Sequence, residues 1–189
     1  MPKSVLVDLT RCIGCRGCQI ACKSWNEMSV VKTAVTGSFE NPPAMSEHCY
    51  TRIRYEEGEA GGVPVWNFVK EQCLHCKEPA CASACPVGAL VKTEAGPVVY
   101  DFDKCIGCRY CMVACPFDVP KYQWSALLPL VRKCTMCSDR LAKGLATSCS
   151  DACPTGATIT GDRDTLLAEA KKRIAENPSG YVNHIFGET

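Results

Sequence analysis

The chain has 189 residues, 47% of them hydrophobic with cysteine counted, and 21 Lys and Arg stand against 20 Asp and Glu. A formal charge of +1 says nothing for nucleic acid or an anionic membrane as partner, and the length suits one domain or two small ones. Seventeen cysteines thin the ordinary apolar core, so metal centres are expected to replace part of it and to be needed for folding.

In chain order, Met1 to Arg11 has no apolar stretch long enough for a secretory leader and no twin-arginine signal. Within it, Ser4–Asp8 is β-rich and predicts a strand that leads into Cys12, Cys15, Cys18 and Cys22, spaced C-x2-C-x2-C-x3-C. Asn26–His48 carries Gly37, Pro42 and Pro43 without a period and reads as a surface insertion. Thr51–Tyr55 and Val63–Val69 predict a hairpin with Glu57–Gly62 as its turn.

The second quartet follows as Cys73, Cys76, Cys81 and Cys85, C-x2-C-x4-C-x3-C-P. Val98–Phe102 predicts a strand before the third, Cys105, Cys108, Cys111 and Cys115, C-x2-C-x2-C-x3-C-P. The longest apolar run, near Ala126–Val131, is broken by Pro129 and is too short to span a bilayer. The fourth quartet is Cys134, Cys137, Cys149 and Cys153, C-x2-C-x11-C-x3-C-P. The last cysteine of each quartet is expected to open a short helical turn. Asp164–Asn177 predicts a helix with Leu166, Leu167, Ala170 and Ile174 near one face, stopped at Asn177-Pro178.

Cysteines this closely spaced make poor disulfide partners but good multidentate ligands. A cubane cluster offers four iron corners, each wanting a thiolate, and three cysteines on one loop reach three of them. The fourth quartet, taken alone, also suits zinc. Its relation to the second argues for a cluster: Cys149-Ser-Asp-Ala-Cys-Pro-Thr-Gly-Ala repeats Cys81-Ala-Ser-Ala-Cys-Pro-Val-Gly-Ala, as Cys105-Ile-Gly-Cys-Arg repeats Cys12-Ile-Gly-Cys-Arg.

The chain therefore carries two copies of a two-quartet unit, one compact in the middle and one split across the ends. In two-cluster ferredoxins the fourth cysteine of such a run ligates the other cluster. Applied here, the rule predicts four sites: Cys12, Cys15, Cys18 and Cys153 (site 1); Cys134, Cys137, Cys149 and Cys22 (site 2); Cys73, Cys76, Cys81 and Cys115 (site 3); Cys105, Cys108, Cys111 and Cys85 (site 4). Gly14 and Gly107 let amides approach the sulfurs. Arg11, Arg16, Lys104, Arg109 and Lys133 are candidates for tuning potential or docking a partner, and equally for ordinary solvated charge. Cys49, outside every quartet, reads as a buried, unreactive thiol. His75 is expected to donate to a cluster sulfur or to backbone rather than to ligate. Ordinary packing is the default for Trp25, Trp66 and Trp124. No catalytic constellation stands out.

On Cys12-Ile-Gly-Cys-Arg-Gly-Cys-Gln-Ile-Ala-Cys-Lys-Ser-Trp-Asn26 and His75-Cys-Lys-Glu-Pro-Ala-Cys81, the chain resembles the iron–sulfur subunits of molybdopterin and tungstopterin oxidoreductases. These include the small subunits of dimethyl sulfoxide reductase, polysulfide reductase and formate dehydrogenase. The resemblance, over about Ser4 to Gly161, implies four [4Fe–4S] clusters in a chain, two ferredoxin-like modules, and a complex with a large pterin-containing catalytic subunit. Polyferredoxins of aldehyde-oxidoreductase-type tungsten enzymes are also similar.

The expected fold is α+β, with small strands and short helices around the clusters and a β-hairpin insertion. Its divisions are an outer, split module (1–36 with 121–162), an insertion and hairpin (37–70), an inner module (71–120) and a C-terminal helix and tail (163–189). The expected role is electron transfer between the pterin subunit and a redox partner, which could be a further donor or acceptor subunit. The chain is not expected to be an enzyme on its own. A free-standing polyferredoxin carrier is the alternative. No nucleic acid and no membrane span of its own are expected. A cytoplasmic location is the simpler expectation, with export or membrane association through a partner the other.

Overall fold

The structure, a computed structural model, describes residues 1–35 and 37–188, so Thr36 and Thr189, each at the edge of an expected division, lie outside the described residues. The elements run as β1 (Lys3–Val7), a 3-10 turn (Leu9–Arg11), α1 (Gly17–Trp25), β2 (Thr51–Ala60), β3 (Val63–Gln72), α2 (Ala80–Ser83), β4 (Leu90–Lys92), β5 (Val98–Tyr100), α3 (Tyr110–Ala114), β6 (Lys121–Tyr122), β7 (Val131–Arg132), α4 (Ser138–Leu141), α5 (Ser148–Asp151), β8 (Thr158–Asp162) and α6 (Arg163–Glu176). This is a small mixed helix-and-strand protein whose described strands form four separate two-stranded antiparallel ribbons. Short ribbons leave most of the interior to cysteine loops.

The ends of the chain close on each other. β1 pairs with β8, Lys3 opposite Asp162 and Val7 opposite Thr158, and α1 packs on α5. A buried ion pair fastens α6 to this ribbon: Arg173 Nη1 lies 2.9 Å from Asp8 Oδ2. The same carboxylate caps the 3-10 turn through the Thr10 amide and accepts the Tyr181 hydroxyl. Burial raises the Asp8 pKa, but the donors from Thr10, Arg173 and Tyr181 outweigh it and hold the carboxyl below its usual range. Leu166, Ala170 and Arg173 form the buried face of α6, with Leu167 and Ile174 half-buried beside it.

Residues 80–132 make a second grouping. β4 pairs with β5, α2 packs on α3, and Leu90, Cys111 and Val131 are buried together beneath Tyr100 and Tyr122. Between the two groupings, the Lys3 amide donates to the Ala95 carbonyl at 2.8 Å.

Two local expectations change. The hairpin is longer than its pattern predicts: Ala60 pairs with Val63, so only Gly61 and Gly62 turn, at φ +60° and +81°. That two-residue turn matches strand twist, and both positions require φ above zero. Glu56, Glu57, Gly58 and Glu59 are exposed strand residues, and their acidity imitates a turn. The helical turns also start earlier than expected, one residue before the third cysteine in all four quartets: Cys18 in α1, Cys81 in α2, Cys111 in α3 and Cys149 in α5. In the last three, the fourth cysteine follows the helix and Pro86, Pro116 or Pro154 comes next. A C-x3-C pair across one helical turn lies on one face, one turn apart, which lets the two thiols serve adjacent sites.

Candidate metal centres

The C-x2-C corners share one backbone conformation. Gly14, His75, Gly107 and Met136, each just before the second cysteine of its quartet, have φ of +68°, +48°, +69° and +57°. This bend aims each amide at the sulfur of the first cysteine. The Gly107 amide lies 3.4 Å from Cys105 Sγ and the Met136 amide 3.3 Å from Cys134 Sγ. The Gly14 and His75 amides likewise bond Cys12 and Cys73. The fourth cysteines of two quartets accept amides as well: the Ala89 amide bonds Cys85 Sγ at 3.2 Å and the Thr158 amide bonds Cys153 Sγ at 3.3 Å.

Thiols distant in sequence meet around shared clefts. Cys12, Cys15, Cys18 and Cys153 line one, with Lys70 and Arg16 at its wall. Cys22, Cys134, Cys137 and Cys149 line a second, which also reaches Cys73 and His75. Cys85, Cys105, Cys108 and Cys111 line a third. Cys73, Cys76, Cys81 and Cys115 act on one another electrostatically: burial raises the Cys81 pKa, and the other three thiols raise it further against the Lys133 ammonium. Cys73 and Cys134 also interact across the boundary between two sets.

Several of the buried thiols resist ionisation. Burial pushes Cys18 and Cys111 up to about 11 and Cys134 up to about 12, and it raises Cys22 further. Such groups become thiolates at neutral pH when a cation takes the proton's place. Cys105 and Cys153 run the other way. Burial raises both, but the Tyr100 hydroxyl and Gly107 amide at Cys105, and the Thr158 amide and Thr155 hydroxyl at Cys153, bring them below the usual thiol value.

These residues fit four-iron clusters. Each set offers four sulfurs with amide donors already aimed at them, as a cluster requires. The Tyr100 hydroxyl is buried beside Cys105 in the cleft of Cys85, Cys105, Cys108 and Cys111, where a cluster sulfur would accept its proton. Among the described residues no three His, Cys, Asp or Glu side chains come together as for a single metal ion. Four thiolates around one zinc at about 2.3 Å would sit much closer than around a cubane.

The candidate cations sort sharply. Arg11 pairs with Asp8, and Lys104 with Asp101. Arg16 stacks on Tyr55, and Arg109 over Tyr122 and Trp124. Lys133 alone of the five is buried, with Nζ 3.9 Å from Cys73 Sγ. Two further cations, Lys70 from β3 and Arg132 from β7, act on Cys12 and Cys105. Their distance in sequence from those cysteines hides them from a motif reading. His75 sends Nε2 to Cys134 Sγ at 3.4 Å. Cys49 is buried and donates to the Thr51 carbonyl at 3.3 Å. Trp25, Trp66 and Trp124 are all partly exposed, at 38%, 48% and 66%.

Two models described as 4Fe-4S dicluster domain match the chain, over residues 64–163 and 11–89. A protein of Nitratidesulfovibrio vulgaris is 45% identical over 188 residues, 97% of this chain and 50% of that protein. The formate dehydrogenase-O iron-sulfur subunit of Escherichia coli K12 is 38% identical over 94% of this chain and 59% of its own length. The hydrogenase-2 operon protein HybA of Escherichia coli O157:H7 is 38% identical over 95% and 58%. The chain thus spans between half and three fifths of the length of these curated relatives.

Proposed function

This chain belongs to the 4Fe-4S dicluster domain family, and on that premise we propose that it is an electron-transfer subunit of an oxidoreductase complex. Four [4Fe–4S] clusters supply one-electron redox change, held at sites 1 to 4 by the sixteen crossing cysteines. Cys22, Cys85, Cys115 and Cys153 each serve the neighbouring site. The sites form a row, 1–2–3–4, through an outer module of residues 1–36 and 121–162 and an inner module of residues 71–120. The carrying observation is that thiols from distant quartets share single clefts, Cys153 with Cys12 and Cys22 with Cys134.

The chain's own groups bind, bury and bias. Amides bent toward the sulfurs stabilise the added electron and raise potential, while burial opposes added charge and lowers it. Apolar side chains around the third quartet suit a covered surface: Ile106 is 66% exposed, Tyr110 61% and Val113 88%. That favours a subunit over a free carrier. The relatives named for formate dehydrogenase support a molybdo- or tungstopterin catalytic subunit as partner, with catalysis located there. Among the described residues no helix is long and apolar enough to cross a membrane.

Anaerobic purification tests this. About sixteen iron and sixteen sulfide per chain are expected from four cubanes, together with a larger subunit containing molybdenum or tungsten. Stoichiometric zinc would overturn the cluster assignment. Migration alone at the chain's own mass under gentle conditions would overturn the subunit assignment.

A further inference from the structure

Between sites 2 and 3, two side chains cross in opposite directions. His75, on the loop of Cys73 and Cys76, reaches Cys134 with Nε2 at 3.4 Å. Lys133, next to Cys134, reaches back to Cys73 with Nζ at 3.9 Å. Each loop therefore sends a donor to the first cysteine of the other.

Both donors are built in. His75 and Lys133 are 7% and 3% exposed. The Val98 amide donates to His75 Nδ1 at 3.0 Å, so the ring's single proton lies on Nε2, facing sulfur. Lys133 Nζ gives its remaining protons to the Val98 and Cys134 carbonyls, both at 2.6 Å. The Val98 backbone thus orients both side chains. Lys92 Nζ holds the His75 carbonyl at 2.8 Å, fixing the corner itself. That corner has φ +48°, where the equivalent corners of sites 1 and 4 use glycine. A bulky residue kept in an unfavourable conformation is a mark of function when its side chain is the part in use.

We propose that His75 and Lys133 are an exchanged donor pair that raises the reduction potentials of the two central clusters and matches them across the module boundary. This rests on the conduit reading above. Transfer across the junction oxidises one central site by one electron and reduces its neighbour by one. No proton moves and no bond changes. A buried cation and a hydrogen bond to sulfur both stabilise the reduced form. The Lys133 charge acts on both Cys73 and Cys134, so it favours the electron on either side of the junction. His75 and Lys133 are positioning and tuning residues, not ligands.

The test is a redox titration followed by electron paramagnetic resonance on the full chain in its anaerobic complex, at one fixed pH, with iron and sulfide counted first. Lys133→Met should lower two of four midpoint potentials, each by about tenfold in the reduction equilibrium, or about 59 mV for one electron. The other two should stay. Lys133→Arg should restore most of the shift. His75→Asn, which tolerates the left-handed corner, should lower one of the same two. Four unchanged midpoints, or four that move together, in a variant that keeps its clusters would overturn the proposal. If Lys133→Met loses iron, His75→Asn decides alone, and an unshifted titration overturns the proposal. A wild-type complex with fewer than four clusters would instead overturn the conduit reading.

Discussion

Gly14 and Gly107 turn the loops of the outer sites with no side chain, whereas His75 and Met136 turn the central loops with buried ones. The backbone bend is common to all four, and so is the amide aimed at sulfur. What differs is the neighbourhood. A Cβ at Gly14 would lie 2.9 Å from the Phe68 ring, and one at Gly107 would lie 3.2 Å from the Pro129 carbonyl. At the ends, backbone must approach other elements closely. At the centre, two cysteine loops face each other, and side chains there can reach across. On the proposed reading, the same corner would serve packing at the ends of the row and communication in its middle.

The largest way to break the comparison is at an end, below the loop itself. Asp8→Asn leaves Arg173 with only Glu169 among acidic partners, and removing one member of a buried pair costs about 3 kcal/mol. The sign with pH follows from the lowered Asp8 pKa. Its stabilisation is complete above the unfolded value of about 3.9 and is lost as pH falls through the lower folded value. Thermal unfolding should therefore separate wild type from variant fully at pH 5 and above, and β1, β8 and α6 should loosen first by hydrogen exchange.

Next comes the corner. Gly14→Ala combines a left-handed alanine with the Phe68 contact and should cost about 2 kcal/mol, with loss of iron from site 1. Gly107→Ala meets a milder contact and should cost about 1 kcal/mol. His75→Gly, by contrast, relieves the bend but leaves the Val98 amide unpaired, and its distinguishing effect should be a lowered central potential. A central potential unmoved in His75→Gly would erase the distinction between ends and centre. The smallest effect is a control: Gly61→Asn, in open space at a turn that suits asparagine, should change stability by less than about 0.5 kcal/mol.

Most of the candidate site is legible in the cysteine spacing, because thiolate chemistry demands fixed offsets and the internal repeat relates the quartets. The proposed crossing sets are readable for the same reason. The strand pairing β1–β8 is not, since five-residue runs carry no partner information. The hairpin's length is hidden by Glu56, Glu57 and Glu59, which an exposed ribbon tolerates as readily as a turn does. The equivalence of His75 and Met136 with Gly14 and Gly107 is hidden too, because glycine is the visible sign of a left-handed corner and these two positions lack it. Lys133 is one of five candidate cations, and only burial separates it from Arg11 and Lys104, which pair with nearby acids instead.

The crossing ligation stands at the centre of the account, and iron anomalous diffraction from anaerobic crystals tests it most directly. The predicted result is four iron-dense sites in a row, with Cys153 bound beside Cys12, Cys22 beside Cys134, Cys115 beside Cys73 and Cys85 beside Cys105. Iron at each site held by the four cysteines of a single sequence quartet, or fewer than four sites in a chain of intact cysteines, would contradict it.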